Sequence, residues 1–285
     1  MLKRIAPDVI HVFGTERCWA DAALPYPCKK ILSMQGILTA YHRLCPMGYY
    51  MRSRAEKEPR LLPHFDLVTS ESEWGCARSR EISPASKVVR WEYAAEERFF
   101  HVQRQLSPEP TCLMAGSDSE LKDVPTAIRA FSSKSLSHVT LLLAGVPPEH
   151  YPDLPPNIRP LGRVSRERMT ELLASSWALV HPTLADTSPN IIKEARAVGL
   201  PVVTTTECGG AQYVEEGKSG FIITPKDVEA LQQAVLKMTA DAETSLRMGA
   251  WQHEECRRLL GRDTMKSRLL EIYDAVLHGK EAELS

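Results

Sequence analysis

The chain has 285 residues, of which 43% are hydrophobic and 25% charged, and its formal net charge is −1. That length accommodates two α/β domains of ordinary size, and the near-neutral charge gives no electrostatic basis for nucleic acid as the main partner. No apolar run approaches the roughly 20 residues that span a bilayer, and no apolar segment of a secretory signal follows the first residues.

The cysteines and histidines carry little sign of a metal or disulfide framework. There are seven cysteines, an odd and scattered set without a C-x-x-C pair, and nine histidines without an H-E-x-x-H spacing. Reduced thiols of a cytoplasmic protein fit this pattern better than disulfides or a zinc site. We therefore predict no bound metal.

Short apolar, β-rich runs alternate with helical segments along the whole chain. Strands are predicted at 9–13, 31–34, 67–69, 87–91, 111–115, 139–144, 157–161, 178–181, 202–204 and 221–223. Helices are predicted at 124–132, 167–175, 189–198 and 228–239. Several strands are apolar without alternation, which is typical of a parallel sheet covered on both faces. The order predicts a doubly wound α/β architecture.

Three parts are predicted: an N-terminal domain over 1–105, a second domain over 106–260, and a C-terminal segment over 261–285. Prolines and glutamines interrupt any regular period over 101–110, as expected of a linker. Helical periodicity returns at 242–260 and 264–278, with Asp263 as the candidate N-cap of the second helix. Only four strands precede the linker, so we expect the N-terminal domain to be incomplete.

The segment from Asp186 to Glu194, Asp-Thr-Ser-Pro-Asn-Ile-Ile-Lys-Glu, has the pattern of a phosphate-binding helix start. Ser188 is the predicted N-cap and Pro189 the first helical residue, which leaves the amides of Asn190 and Ile191 open to an anion. Asp186 and Glu194 could then accept the vicinal hydroxyls of a sugar. Spacing alone leaves open that both are ordinary solvated acids.

This segment resembles the E-x7-E region of the retaining GT-B glycosyltransferases of family 4, the group 1 glycosyl transferases. Asp186 stands where the first Glu is usual, and Glu194-Ala-Arg-Ala-Val-Gly-Leu-Pro-Val-Val matches the rest. The resemblance implies that Glu194 binds the nucleotide ribose and that Asp186 contacts the transferred sugar.

The flanking loops are similar to those of the same family. Gly116 and Lys122 match a loop that usually reads Gly-Arg, four residues, Lys-Gly, with Ser117 in place of the Arg and Asp123 in place of the second Gly. The resemblance implies that Lys122 is the cation for the donor diphosphate. It also implies that Gly162 lets the backbone approach the base and that Arg163 lies at its rim. In isolation, either cation could be a solvated surface residue.

The N-terminal part resembles the family less closely. The stretches 7–16 and 31–36 are similar to two strands that end near the acceptor cleft, which implies Gly14, Gln35 and Gly36 as acceptor-side residues. His11, inside a predicted strand, fits a core or supporting histidine better than a catalyst. The family's opening strand and its glycine loop have no counterpart, so we identify the chain as an N-terminally truncated or divergent member.

The resemblance implies two Rossmann-like domains of GT-B type, the N-terminal one incomplete, with the C-terminal helix crossing back. It implies transfer of a hexose-type sugar, with retention, from a UDP- or GDP-sugar to a hydroxyl acceptor in surface polysaccharide or glycolipid synthesis. Asp186 and Lys122 would be the catalytic residues, without metal or other cofactor. The alternative is a non-catalytic nucleotide-sugar-binding remnant or partner subunit.

The expected partners are the nucleotide-sugar donor and a glycan or lipid-linked acceptor, and not nucleic acid. The expected location is the cytoplasm or the inner face of the membrane. The helical stretch 49–60, with Tyr50, Arg52, Arg54, Lys57 and Arg60, would suit peripheral membrane association. A solvated charged helix explains the same residues.

Overall fold

A computed structural model of the chain describes residues 5–251 and 253–284. The chain forms two compact units: unit 1 comprises Met1–Tyr93 together with Arg262–Ser285, and unit 2 comprises Ala94–Gly261. Each unit is built on a parallel sheet, which confirms the predicted fold class of two Rossmann-like α/β domains.

Unit 1 holds a four-stranded parallel sheet in the order β1-β2-β3-β4. The strands are β1 Val9–Phe13, β2 Lys29–Met34, β3 Leu67–Ser70 and β4 Val88–Arg90. The helices are α1 Trp19–Ala23, α2 Leu38–His42, α3 Tyr49–Leu61, α4 Glu73–Ile82 and the C-terminal α11 Arg262–His278. Successive residues of one strand enter different cores: Leu32 packs with Val68 in one, and Ile31 with Leu67 in the other. Both faces of the sheet are therefore covered, as apolar runs without alternation predict.

Unit 2 holds a six-stranded parallel sheet in the order β10-β9-β8-β5-β6-β7. The strands are β5 Thr111–Ala115, β6 Thr140–Ala144, β7 Ile158–Gly162, β8 Ala178–His181, β9 Val202–Thr205 and β10 Gly220–Ile223. The helices are α5 Val124–Phe131, α6 Arg166–Ser175, α7 Asn190–Val198, α8 Val228–Met238, α9 Ala242–Ala250 and α10 His253–Leu259. The chain leaves β5 in one direction for β6 and β7 and returns to its other side for β8. Adjacent β5 and β8 thus form the topological switch point, where open α/β sheets bind ligands.

The division between the units lies between Tyr93 and Ala94 rather than at 105/106. Residues after Tyr93 are held by unit 2: the Ala95 amide donates to the Leu260 carbonyl over 3.0 Å, and Phe99 is buried in a unit 2 core. The Arg104 guanidinium donates to the Ser176 carbonyl over 2.6 Å. The proline- and glutamine-rich stretch is thus tied down by specific hydrogen bonds, which its composition does not reveal.

The C-terminal segment belongs to unit 1. In α11, Ile272 and Val276 are fully buried and pack with Ile31 and Leu67 of the unit 1 sheet, so the predicted return of the C-terminal helix is confirmed. The helix begins at Arg262, which places Asp263 in its first turn rather than at its N-cap. The predicted helix over 242–260 is two helices, because Trp251 has extended backbone (φ −61°, ψ 124°) and ends α9.

Helix α3 directs part of its charge into unit 1. Arg54 and Glu58 are 4% and 0% exposed, whereas Arg52, Lys57 and Arg60 are exposed. Glu58 accepts from the Leu38 and Thr39 amides over 3.1 and 2.8 Å at the start of α2. Arg54, one of the cations of the stretch that would suit membrane association or a solvated helix, therefore lies inside the fold.

Within the described residues, no helix is both long enough and apolar enough to cross a membrane.

Candidate active site

The two loops that leave the switch point of unit 2 are joined by two hydrogen bonds to one backbone carbonyl. The loop after β5 ends at Lys122, and the loop after β8 leads to Asp186. The Leu184 amide donates to the Leu121 carbonyl over 2.8 Å, and the Thr183 hydroxyl donates to the same carbonyl over 2.6 Å. This double contact fixes the chain next to Lys122 against the chain next to Asp186. Residues 64 positions apart are thereby brought to one edge of the sheet.

Lys122 and Asp186, the two predicted catalytic residues, form an ion pair through Nζ and Oδ2. The same Oδ2 lies 3.3 Å from Nε2 of His181, the last residue of β8, whose side chain is 1% exposed. The ammonium and carboxylate side chains are 24% and 15% exposed, so a ligand can still reach them. The structure therefore combines the predicted cation and carboxylate with a histidine that the sequence did not single out.

The three side chains shape one another's protonation. Burial alone would raise the pKa of Asp186, but the hydrogen bond with His181 and the charge of Lys122 outweigh burial and hold that pKa below its ordinary value. Burial is the main cause that lowers the pKa of His181, with the Lys122 charge acting in the same direction against the Asp186 carboxylate. At neutral pH the site thus holds an ionised carboxylate between an ammonium and a neutral imidazole.

Glycines line the ends of β5, β6 and β7. Gly116, Gly145 and Gly162 all have positive φ, at 150°, 90° and 61°. The Gly145 amide donates to the Gly162 carbonyl over 2.7 Å, and a Cβ on Gly145 would lie 2.2 Å from the Gly116 carbonyl oxygen. The aliphatic chain of Lys122 passes within 3.5–3.6 Å of where a Gly116 Cβ would be. The loops therefore pack backbone to backbone and leave an edge that a ligand can approach closely.

The start of α7 differs by one residue from the prediction. The helix begins at Asn190, and the N-cap is Pro189 (φ −69°, ψ 120°) rather than Ser188. No side chain caps it; the Ser188 Oγ is buried and has no partner among the described residues. The amides of Asn190 and Ile191 are in the first turn and make no intrahelical bond, whereas the Ile192 amide donates to the Pro189 carbonyl over 3.1 Å. The helix start thus keeps open amides and a spare hydroxyl.

Glu194 lies in the second turn of α7 and is half-buried. Burial and the nearby charge of Glu96 raise its pKa to about 7, against the opposing charges of Arg98 and Arg166. Its partial burial close to Glu96, Arg98 and Arg166 differs from the surroundings of a fully solvated helix acid, and its predicted contact with the ribose stays a prediction.

Two further positions singled out in the sequence, Arg163 and Asp123, have different surroundings. Arg163 is exposed, and no described side chain holds it in place. Asp123, which stands where the resembling family has glycine, is 7% exposed and adopts a left-handed conformation (φ 51°, ψ 48°). Its Oδ2 has no partner within the described part of the chain. Asp123 thus adopts the left-handed backbone conformation that favours glycine, although it carries a side chain.

The predicted acceptor-side residues of unit 1 meet at the carboxyl ends of β1 and β2. Gly14 has φ 76°, and its amide donates to the Ser33 carbonyl over 2.8 Å. A Cβ on Gly14 would lie 1.9 Å from Oε2 of Glu16 and 3.3 Å from Cγ of Gln35, and a Cβ on Gly36 would lie 3.2 Å from Oε1 of Glu16. Glu16, which the sequence analysis left out, is therefore the side chain at the centre of this group.

His11 is half-buried in unit 1 and is held by neighbouring side chains, which fits the predicted supporting role. Its Nδ1 lies 2.9 Å from the Tyr273 hydroxyl and its Nε2 lies 2.7 Å from the Ser33 hydroxyl. Burial lowers the pKa of His11 to about 4. A neutral imidazole with both nitrogens engaged supports packing rather than proton transfer at neutral pH.

The described residues contain no group of three or more His, Cys, Asp or Glu side chains that could hold a metal ion.

Sequence signals for the residues that were missed differ in kind. His181 is a polar residue at the end of an apolar strand, and Gly145 directly follows another strand, so both could have been proposed from position alone. Glu16 had no such signal, because its importance comes from two glycines, one of them 20 positions further along the chain.

The fold and this site together define a class of protein. The chain has the GT-B fold: its structure matches that of sucrose-phosphate synthase from Thermosynechococcus elongatus with a TM-score of 0.83, at 18% identity over 98% of this chain and 76% of that one. Anabaena HepE in complex with UDP and glucose matches with a TM-score of 0.78, at 17% identity over 96% of this chain and 79% of that one.

The sequence is more specific within unit 2. Residues 109–241 form a domain that matches the family described as Glycosyl transferases group 1. The lipopolysaccharide glucosyltransferase WaaG of Escherichia coli (strain K12) is 33% identical over 148 residues, which are 49% of this chain and 39% of that protein. The matched region of this chain thus covers well under half the length of that relative.

Proposed function

We propose that the chain transfers a hexose-type sugar from a UDP- or GDP-sugar to a hydroxyl acceptor, with retention at the anomeric carbon. The observation that carries this proposal is the ion pair of Lys122 and Asp186 at the switch point of the unit 2 sheet. The matched family and the nucleotide in the HepE complex support a nucleotide-sugar donor.

Unit 2 offers separate groups for each part of such a donor. Lys122 supplies a point charge for the diphosphate, and the α7 start supplies the amides of Asn190 and Ile191 and the Ser188 hydroxyl. Glu194 would accept the ribose hydroxyls. Gly162, at the end of β7, leaves the backbone accessible to the base, with the exposed Arg163 beside it. We propose that this set neutralises the diphosphate without a bound metal.

The ion pair also suggests how the donor is recognised. Its cation suits the anionic diphosphate of such a donor, and its carboxylate suits the neutral sugar hydroxyls, which donate hydrogen bonds. A diphosphate can take over Lys122 while sugar hydroxyls take over the Asp186 carboxylate, so neither group is left unpaired on binding. His181 continues to hold the carboxylate in place from the buried side.

The chemistry then rests on positioning and on charge stabilisation. The bond from the anomeric carbon to the phosphate oxygen breaks, and a bond to the acceptor oxygen forms on the same face. The acceptor proton passes to the leaving phosphate, whose developing charge Lys122 and the helix amides stabilise. This route requires no enzymatic nucleophile.

We further propose a cytoplasmic enzyme of surface polysaccharide or glycolipid synthesis that associates peripherally with a membrane. In α3, Tyr49 is 90% and Tyr50 52% exposed, and the nearby Arg52 is exposed as well. Aromatic and basic side chains on one helix suit the interface of an anionic bilayer.

The proposal is tested by donor binding and turnover. Thermal shifts with UDP-glucose and GDP-mannose should show stabilisation by one of them that is lost in Lys122→Met but kept in Lys134→Met, an exposed lysine of the same unit. Release of UDP or GDP in the presence of glycan acceptors then reports transfer, which EDTA should leave unchanged. Binding without any release would favour the non-catalytic nucleotide-sugar-binding alternative, and no binding of either donor would contradict both.

A further inference from the structure

A carboxylate in unit 1 lies over two glycines and is not used by the fold. Glu16 is half-buried, and it makes no hydrogen bond or ion pair with any described residue. Its Oε2 occupies the place of a Gly14 Cβ, and its Oε1 lies 3.2 Å from the place of a Gly36 Cβ. Any side chain at either glycine would compete with it. The glycines thus keep a notch open for a carboxylate that has no structural partner.

An aromatic surface adjoins this notch. Phe13, the last residue of β1, is 51% exposed although its ring stacks on His11 at a centroid distance of 4.5 Å. Tyr93 lies 6.3 Å from it by ring centroids and accepts a 2.7 Å hydrogen bond from the Gln35 amide. Gln35 in turn lies beside Gly14. The hydrogen-bonded Gln35 amide and Tyr93 hydroxyl therefore lie between the Phe13 ring and the Glu16 carboxylate.

These groups share one edge of the sheet. Phe13 ends β1, Gln35 directly follows β2, and Tyr93 follows β4 by three residues. The carboxyl edge of a parallel sheet is where open α/β domains bind ligands. An exposed aromatic face with a few fixed polar groups is also the usual composition of a small-molecule site.

We propose that this edge binds a sugar ring of the acceptor, so that the acceptor is a glycan whose terminal residue is neutral or bears an amine. The apolar face of the ring lies on Phe13, and its hydroxyls donate to both oxygens of Glu16. The inference rests on the proposed transfer reaction, which it deepens by naming the acceptor class and the residues that recognise it.

The chemistry of Glu16 selects among acceptors. An ionised carboxylate only accepts hydrogen bonds, so the group in the notch must donate them. Hydroxyls and ammonium groups do so, and a phosphate dianion does not and is repelled as well. A purely aliphatic acceptor could cover Phe13 but would leave the carboxylate without a donor, at the cost of its desolvation.

Binding of three monosaccharides to the full chain tests the proposal. Saturation-transfer NMR with methyl α-D-glucopyranoside, D-glucosamine and glucose 6-phosphate gives each dissociation constant, in samples with and without UDP. The first two should saturate the protein, and glucose 6-phosphate should bind at least about tenfold more weakly. Glu16→Gln should weaken the neutral sugar about tenfold or more, as expected for losing a charged hydrogen-bond partner. Phe13→Leu should weaken it about three- to tenfold.

Two further variants test whether a loss of sugar binding has the proposed cause. Phe13→Trp keeps an aromatic face and should retain binding, which separates stacking from mere disturbance of His11. Glu56→Gln removes an exposed carboxylate elsewhere in unit 1 and should change nothing. Equal binding by wild type, Glu16→Gln and Phe13→Leu would overturn the proposal, as would preferred binding of glucose 6-phosphate or saturation by none of the sugars.

The UDP samples keep this inference apart from the proposed function. Stabilisation by UDP without sugar binding at Glu16 and Phe13 would overturn only the acceptor inference. Sugar binding that obeys the variants, with no response to UDP or UDP-glucose, would instead overturn the donor assignment in unit 2.

Discussion

The two units solve the same problem, an accessible edge on a parallel sheet, in different ways. In unit 2 the strand order reverses between β5 and β8, and the loops after these two adjacent strands place Lys122 and Asp186 at the same edge of the sheet. In the described strands of unit 1 the order simply follows the chain, β1-β2-β3-β4. There, Gly14 and Gly36 create the room instead, by having no side chain where Glu16 lies. Topology thus opens one edge and residue size the other.

The two edges also differ in whether their carboxylates have a charged partner. Asp186 is engaged by Lys122 and His181, whereas Glu16 has no partner among the described residues. A ligand of unit 2 must therefore replace an internal ion pair and needs an anionic group for Lys122 as well as hydrogen-bond donors for Asp186, whereas a ligand of unit 1 needs only hydrogen-bond donors. This difference teaches that the charge pattern of a site, and not only its position on a sheet, limits what can bind.

The largest effect is expected from Lys122→Met. Loss of a charge-stabilising group at the leaving diphosphate should lower sugar transfer by roughly 10²–10³-fold, and it should also lower the melting temperature, because Asp186 loses its countercharge. Glu16→Gln, at the unpaired carboxylate of unit 1, should leave the melting temperature unchanged. Steady-state kinetics and thermal melts check both. An equal loss of stability in the two variants would break the comparison.

Glycine substitutions sharpen the contrast between backbone and side-chain packing. In Gly145→Ala the new Cβ would meet the Gly116 carbonyl at 2.2 Å, which only a backbone shift can relieve. In Gly14→Ala it would meet the carboxylate of Glu16, which can rotate away. In both variants an alanine at positive φ costs about 1–2 kcal/mol. Because only Gly145→Ala also needs a backbone shift, it should lose about 1–3 kcal/mol more free energy of unfolding than Gly14→Ala.

Urea unfolding of the two alanine variants measures this difference. Gly162→Ala is the matched control within unit 2, since its φ is 61° and its nearest neighbour would be Pro148 Cδ at 3.8 Å. If Gly162→Ala were as unstable as Gly145→Ala, left-handed strain alone would explain the loss and the packing of Gly145 on Gly116 would not be needed.

The pH dependence of donor binding should come from unit 2. The pKa of Glu194 is raised to about 7 by burial and Glu96, so its carboxylate ionises between about pH 6 and 8, and affinity for UDP-glucose should rise over that range. The pKa of His11 in unit 1, lowered to about 4 by burial, predicts no contribution there. Calorimetric titration should find a several-fold rise that Glu194→Gln removes.

Stability should change in the opposite direction. The folded-state pKa of Glu194 lies above its ordinary value of 4.5, so the native chain holds a proton that the unfolded chain releases. The free energy of unfolding contributed by this group is therefore lost as pH rises from about 4.5 to about 7. Denaturant midpoints of wild type and Glu194→Gln should converge at low pH and separate above it. A wild-type midpoint that rises relative to the variant would contradict the assignment.

The smallest effect is expected at Asp123. Glycine there removes the left-handed strain of a side-chain-bearing residue and a buried carboxylate oxygen without a described partner. Asp123→Gly should therefore raise the free energy of unfolding by about 1 kcal/mol. Asp123→Ala, which removes the carboxylate but keeps the strain, is the control for separating the two causes. A lower midpoint for the glycine variant would show that Asp123 has a partner the fold needs.

Local residue order was enough for much of the architecture. All ten predicted strands are present with shifts of at most two residues at their ends, because apolar runs such as 139–144 are buried on both sides of a parallel sheet. The helix 189–198 was placed to within one residue by its proline and by Gly199, whose φ of 79° ends it. Where a residue's structure depends on its neighbours along the chain, the sequence pattern is enough to predict it.

Residue roles that depend on distant neighbours were not accessible in this way. The cations of α3 look alike in sequence, yet Arg54 turns inward to the Thr15 carbonyl at 2.7 Å while Arg52 stays outside. Ser188 has the chemistry of an N-cap, but the chain turns into the helix one residue later. Local propensity ranks such choices, and tertiary contacts decide them.

The sequence by itself determined the class of fold and the positions of the strands along the chain, which follow from periodicity, whereas the candidate pair Lys122 and Asp186 came from the resemblance of its motifs to a known family. Only the tertiary structure decided that Lys122 and the buried His181 both contact Oδ2 of Asp186. It also decided that Glu16 lies beside two glycines and has no partner among the described residues. The physical reason is that charge pairing and excluded volume act through space. Their effects depend on distances between strands that the linear order of residues does not contain.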